Sequence, residues 1–319
     1  MKVLFYLCAI LPLVFSCNWS SEDPLQSKQI LEGYHITTID FDKAGNAWLG
    51  TLDQGLIKFD GQNIKVYPEI TKMIRVLKVD SKNQVFLATD GLVKFDGENF
   101  TRYDPSNTPG MEGVVMDLDI DSKDQVWFAM GGFNSGGLGR LDEESFTFYT
   151  PDNSPLTAHW VSGIKVTRKD EVWVSSQTSV GNVELAKIKE GEWSLYNTDN
   201  LGFNPYSITN LEENSRGDLV AGIDYSFSSS NTSGRPPLFT FDEKVGKQIN
   251  ANKSFQISKI LVDSFDRIWC AGYTGYAIYM HESWSYDEET FKDISVFSIS
   301  QAPNGEIWMG TGDGVYVIE

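Results

Sequence analysis

The sequence predicts an all-β protein: a seven-bladed β-propeller of four-stranded blades, closed by an N-terminal strand that completes the last blade. Two observations predict it, a self-similar unit that recurs along the chain and the lack of sustained 3.6-residue apolar periodicity over a helix's length. One unit reads ITTIDFDKAGNAWLGTLDQGLIKFDGQNIKVY from Ile36, the next IRVLKVDSKNQVFLATDGLVKFDGENFTRY from Ile74, and five more follow. A marker position in the second strand of each unit holds Trp48, Phe86, Trp127, Trp173, Val220, Trp269 and Trp308. From 48 to 308 is 260 residues over six intervals, about 43 each, which is the length of a four-stranded blade.

Each unit opens with apolar residues at i, i+3 and i+5 and usually an Asp at i+6, as in Ile36, Ile39, Phe41 and Asp42 or Ile257, Ile260, Val262 and Asp263. This is the first strand. A tight turn follows (DKAGN, DSKNQ, DSKDQ, NSRGD, DSFDR), in which the leading Asp or Asn accepts backbone N–H groups and Gly, Asn or Asp tolerates positive φ. One acidic residue per blade at the same turn is structural chemistry, not a metal site. The marker strand comes next, then a third strand such as GLIKFDG and a fourth such as NIKVY or NFTRY. The last unit ends inside its third strand, so an outer position is left open, and bare strand edges invite aggregation. Residues 26–31 are predicted to fill it, joining both termini in one sheet.

The pattern I..I..D..G..W.GT..GL..FDG resembles the two-component regulator propeller repeat, and the resemblance runs from Ile36 to the C-terminus. It is strong in units one, two and seven and weakest in four and five, where Thr167 replaces the Asp and Val220 the Trp. Proteins with this repeat are often sensor halves of hybrid histidine kinases. The resemblance implies the fold; it does not carry over the signalling role, and no kinase output is expected in this chain.

Loop lengths separate two faces. Loops joining strands one to two and three to four stay short on one face. On the other, strand two-to-three loops and blade-to-blade connections lengthen, as in MGGFNSGG from Met130, SSQTSVGNVE from Ser175 and GIDYSFSSSNTSGRPP from Gly222. Insertions collected on one face of a repeat architecture mark the binding face. The candidate ligand-binding residues are therefore Phe133, Asn134, Trp160, Tyr206, Tyr225, Phe227, Tyr273, Asp53 and Asp313. Aromatic planes beside planar polar groups suit a sugar, and the same residue types suit a protein partner.

The first residues, MKVLFYLCAILPLVFSC, place Lys2 before an apolar run over residues 3–15. That run is shorter than the roughly 18 residues that span a bilayer, so residues 1–16 read as a signal peptide. The segment Leu13, Val14, Phe15, Ser16, Cys17 resembles a bacterial lipobox, which implies lipidation at Cys17. Ser20, Ser21, Glu22 and Asp23 are similar to the signals that send Bacteroidetes lipoproteins to the cell surface. The expected organisation is residues 1–16 leader, 17–25 tether and 26–319 propeller, in an outer-membrane lipoprotein held by its lipid anchor. With Cys8 in the leader and Cys17 lipidated, Cys270 stands alone and no intrachain disulfide forms.

A formal net charge of -18 argues against nucleic acid as a partner. The chain's three histidines, His35, His159 and His281, lack metal-site spacing, and HEXXH, CxxC and GxSxG motifs are absent. No cofactor and no metal are expected. The leading expectation is a non-catalytic envelope lipoprotein that binds a glycan or an envelope protein. The alternatives are a lyase or lactonase acting at the channel mouth, for which Asp117 and Asn210 could supply polar groups, and a scaffold for an envelope complex.

Overall fold

The computed structural model describes residues 25–319 apart from 133–134, 180–181, 224–236, 254, 288–289 and 292. Cys17 and its surroundings lie outside the described residues, as do Phe133, Asn134, Tyr225 and Phe227. Each repeat folds into one four-stranded antiparallel sheet, and seven such sheets make the propeller. In blade one the strands are Ile36–Phe41, Ala47–Thr51, Leu56–Phe59 and Ile64–Tyr67. Among the described residues no helix is long and apolar enough to cross a membrane.

The ring closes as the strand arithmetic predicts. Ser27–Ile30 pairs antiparallel with Gly314–Ile318, with Ser27 opposite Ile318 and Ile30 opposite Val315, and becomes the fourth strand of blade seven. Leu31 continues into a core cluster with Ile36, Leu49, Val315 and Val317, so the closing segment is packed as well as paired.

The marker residues fill the spaces between blades. Trp48, Trp127, Trp173 and Trp269 are buried, Trp308 nearly so, and Phe86 and Val220 occupy the equivalent places. The conserved geometry extends to a polar tie that the turn chemistry alone does not reveal. The Trp48 indole N–H donates to the Asp42 carboxylate at 3.3 Å, Trp127 to Asp121 at 3.1 Å and Trp269 to Asp263 at 2.7 Å. The same Asp42 Oδ1 accepts the backbone N–H groups of Ala44 and Asn46, so one carboxylate shapes the turn and fixes the ring. A cation lies over several of these rings: Lys58, Arg140 and Lys187 stand cross-strand from Trp48, Trp127 and Trp173, while Arg267 covers Trp269.

Residues 175–184, expected as a loop, instead continue the sheet. Val172–Ser179 and Asn182–Lys189 form a long hairpin in blade four, paired as far as Ser179 with Asn182. Val172 through Ser176 are all buried, as are Val183 and Leu185 through Ile188, so both faces of this hairpin's base are covered and the strand persists where Ser and Thr content suggested a loop. The connection into blade five carries one helical turn, Thr198–Leu201, capped reciprocally by Asn197 and Asn200.

Candidate functional site

The first strands of the blades surround the axis. Six of them carry a bulge at the second position, between Ile36 and Thr38, Val115 and Asp117, Val161 and Gly163, Ile208 and Asn210, Ile257 and Lys259, and Val296 and Ser298. A bulge re-aims its side chain. Where that residue is Thr37, Ser162 or Ser258, its hydroxyl donates to the opening carbonyl of the next blade's first strand, at Ile74, Ile208 and Val296. Where it is Met116 or Phe297, no such bond is possible, and the side chain stays at the channel mouth. Phe297 stacks on His35 with ring centres 4.9 Å apart. Met116 lies over Gly131 beside the Trp160 indole, where a Cβ on Gly131 would fall 2.8 Å from Met116 Cγ and 3.6 Å from Trp160 Nε1.

Below the mouth, the fifth position of successive first strands reads Asp40, Lys78, Asp119, Lys165, Glu212, Leu261 and Ser300, so charge alternates around five blades. Lys78 pairs with Asp119 at 3.8 Å and Lys165 with Glu212 at 2.8 Å. The carboxylates also satisfy inner-edge backbone groups: Asp40 accepts from the Val79 N–H at 2.8 Å, Asp119 from Val166 at 2.8 Å and Asp117 from Ile164 at 3.1 Å. Burial raises the carboxyl pKa of Asp40 and of Asp117 against the pull of Lys78 and Lys259 respectively. Asp119 raises the Lys78 pKa, and burial only partly offsets it. For Lys165, burial works downward but Glu212 and Asp119 outweigh it.

The cavity among these groups measures about 120 Å³. That holds roughly four waters at about 30 Å³ each and falls below the ~300–1,000 Å³ of sites that enclose a drug-sized ligand. The channel is a polar seam between blades. A larger ligand has to be met above it.

The sequence-predicted residues that the structure describes share the elaborated face but come from five blades. Asp53 and Tyr273 are exposed in strand two-to-three loops of blades one and six, and Tyr273 is 53% accessible. Trp160 opens the first strand of blade four and is half-buried, as is Tyr206 in the connection to blade five. Asp313 is exposed, and its carboxylate accepts the Gly33 N–H at 2.7 Å, tying the closing segment to blade seven. Phe203 packs edge-on against Phe239 and is spent on its own loop. Sequence reasoning missed Met116 and Phe297. Their signal is the bulge position, where a bulky residue replaces the Ser or Thr that other blades use for a clasp.

The histidines do not gather. His35 and His159 precede the first strands of blades one and four, whereas His281 sits in the strand three-to-four turn of blade six, on the opposite face. The Nδ1 of His159 is buried without a hydrogen-bond partner.

No family model matches the chain, and no curated protein matches it. Solved structures do. The catalytically inactive virginiamycin B lyase from Staphylococcus aureus with quinupristin superposes at TM-score 0.74 and 11% identity, over 92% of this chain and 98% of that one. The extracellular domain of a putative hybrid two-component system from B. thetaiotaomicron gives TM-score 0.71 and 17% identity over 93% of this chain. This chain spans 42% of that longer one. PorZ, a surface component of the type-IX secretion system of Porphyromonas gingivalis, gives TM-score 0.69 and 14% identity over 89% of this chain and 46% of its own. At such identities the likeness is one of fold, and that fold serves both sensor domains and a lyase.

Proposed function

We propose that the chain is a non-catalytic propeller of the bacterial envelope, held by a lipid on Cys17, that binds a glycan on its elaborated face. The observation that carries this reading is the contrast between the faces. Every strand one-to-two turn on one face has the same five-residue length, while the other face grows at blades three to five and bears Trp160, Tyr206 and Tyr273 above a channel filled with paired charges. Rings half-sunk at a rim offer flat apolar contact at low entropic cost, which suits a sugar face.

The test uses the Cys17→Ser protein, freed of the lipid, on an array of bacterial and host glycans. Retention of a glycan class that is lost in Trp160→Ala and Tyr273→Ala supports the reading. No retention of any glycan, or retention unaffected by both substitutions, overturns it.

The second reading is a lyase, favoured by the match to virginiamycin B lyase along nearly the full length of both chains and by His35 at the mouth. Against it, the carboxylate of Asp117 is committed to the Ile164 N–H, and His281 lies on the far face. Cleavage of a streptogramin B that His35→Ala abolishes would establish the enzyme instead.

A further inference from the structure

We infer that the short-loop face is the one turned toward the membrane, so that the elaborated face is presented away from the bilayer; this rests on the lipid-anchored reading above. The direction of the closing strand carries it. Gly314–Ile318 starts at the strand two-to-three loop of blade seven, which is on the elaborated face, and runs to the short-loop face. Its partner runs back the other way, with Ser27 opposite Ile318, and Gln26 O accepts the Glu319 N–H. The chain therefore enters the propeller through Leu25 and Gln26 at the short-loop face, on the outer rim of blade seven.

Reach decides whether the tether could turn the molecule over. From Cys17 to Leu25 is eight Cα steps, at most about 28 Å when fully extended. Climbing the outside of a blade consumes about 15–20 Å of that, since a strand of five or six residues rises about 3.3 Å each. The elaborated face then extends further, because the blade-four strand Val172–Ser179 is three residues longer than its blade-one counterpart Ala47–Thr51. Those three residues add about 10 Å. The tether would be exhausted before the hairpin cleared a bilayer. On the short-loop face, by contrast, the first-to-second turns are uniformly five residues.

The side chains of that face fit the same orientation. Lys43, Lys82, Lys123, Lys169 and Arg216 are exposed at equivalent turns, while Asp42, Asp80, Asp121 and Asp263 fold inward to cap their own backbones. In blade six the equivalent position is Phe265, 72% accessible, with the Arg267 guanidinium 5.4 Å from its ring centre. Its turn is bonded to blade seven through the Ser264 N–H and Gln301, so this apolar ring stands next to the blade from which the tether leaves. The third-to-fourth turns add exposed Glu98, Glu144 and Glu190, so charge alone does not hold the face on an anionic surface; the lipid does the attaching.

The experiment uses the full-length lipidated protein in vesicles of phosphatidylethanolamine and phosphatidylglycerol that carry a spin-labelled quencher lipid. Cys270 is buried and its thiol pKa is pushed up by burial, so single cysteines label selectively. A fluorophore on Phe265→Cys, Lys82→Cys or Lys123→Cys is expected to be quenched about two-fold or more beyond one on Asp53→Cys. Equal quenching on both faces, or stronger quenching at position 53, overturns the orientation. Failure of the anchor itself reads differently: Cys17→Ser would then partition into vesicles like the parent, and position 17 would take the label.

Discussion

Replacing Trp269 by Ala tests what holds the ring of blades together. Trp269 is fully buried, its indole N–H meets Asp263 at 2.7 Å, Arg267 lies 5.0 Å from the ring centre and Tyr276 packs at 5.5 Å. Emptying such a site costs about 3–5 kcal/mol in lost burial and residual cavity. The lost bond to a carboxylate adds only the lower part of its usual ~1.5–3 kcal/mol. That is because Asp263 keeps the N–H groups of Phe265 and Arg267 and the Arg267 Nε, and is not left without donors. Trp269→Ala is therefore expected to lose about 4–6 kcal/mol, and Trp269→Phe, which keeps most of the ring but not the N–H, about 1–2 kcal/mol. Trp160→Ala, half-buried at the rim, should cost about 1 kcal/mol. Urea unfolding followed by far-ultraviolet circular dichroism measures all three. Equal losses for Trp160→Ala and Trp269→Ala would refute the division between wedge and rim. A Trp269→Phe loss as large as that of Trp269→Ala would show that the polar tie, and not burial, dominates.

Deleting residues 26–31 strips the fourth strand from blade seven and uncovers Leu31's cluster, so the melting temperature should fall by several degrees, whereas deleting 18–24 should leave it unchanged. The turns of neighbouring blades are linked where Ser122 N and Oγ donate to Asp170, whose pKa is lowered first by that hydroxyl. Ser122→Ala is expected to cost about 0.5–1 kcal/mol, read by the same unfolding assay. Asp117 behaves in the opposite sense. Its pKa is raised, so the folded state takes up a proton before the unfolded chain does, and its contribution to stability grows as pH falls toward the ordinary aspartate value of 3.8. Asp117→Asn should therefore gain on the parent at neutral pH, and the gain should shrink on acidification; a gain that widens toward acid would contradict the sign.

The fold was legible because its information is periodic. Trp48 through Trp308 mark the second strands at near-constant spacing, and the missing outer strand could be located by counting from one unit to another. Residues that depend on the third dimension were less visible. The alternating ring Asp40, Lys78, Asp119, Lys165, Glu212 is one residue per blade, so no local window contains it. Met116 and Phe297 look like ordinary strand residues until the bulge turns them to the mouth. Residues 175–184 look like a loop because Ser and Thr count as loop formers by composition, whereas Ser175 and Ser176 are buried in the sheet and pair with Leu185 and Glu184.

The units that depart from the repeat explain why one face can vary and the other cannot. In blade four Thr167 stands for the Asp, and its hydroxyl still accepts the Glu171 N–H at 3.1 Å. In blade five Asn214 accepts from Arg216 and Asp218 as Asp42 does from Ala44 and Asn46. In blade seven Ala302 has no side-chain acceptor, and Glu306 supplies the carboxylate for the Trp308 indole at 3.2 Å. Each replacement preserves a five-residue turn, because that turn is bonded to its neighbour, as Ser81 is to Asp124 and Ser215 to Asp266. A lengthened turn would break two blades at once. On the opposite face the bulge clasps at Thr37, Ser162 and Ser258 run between first strands near the axis, inside the loops rather than through them. Loops there can grow without unfastening the ring, and that freedom is what a repeat scaffold needs to acquire a binding surface on one side only.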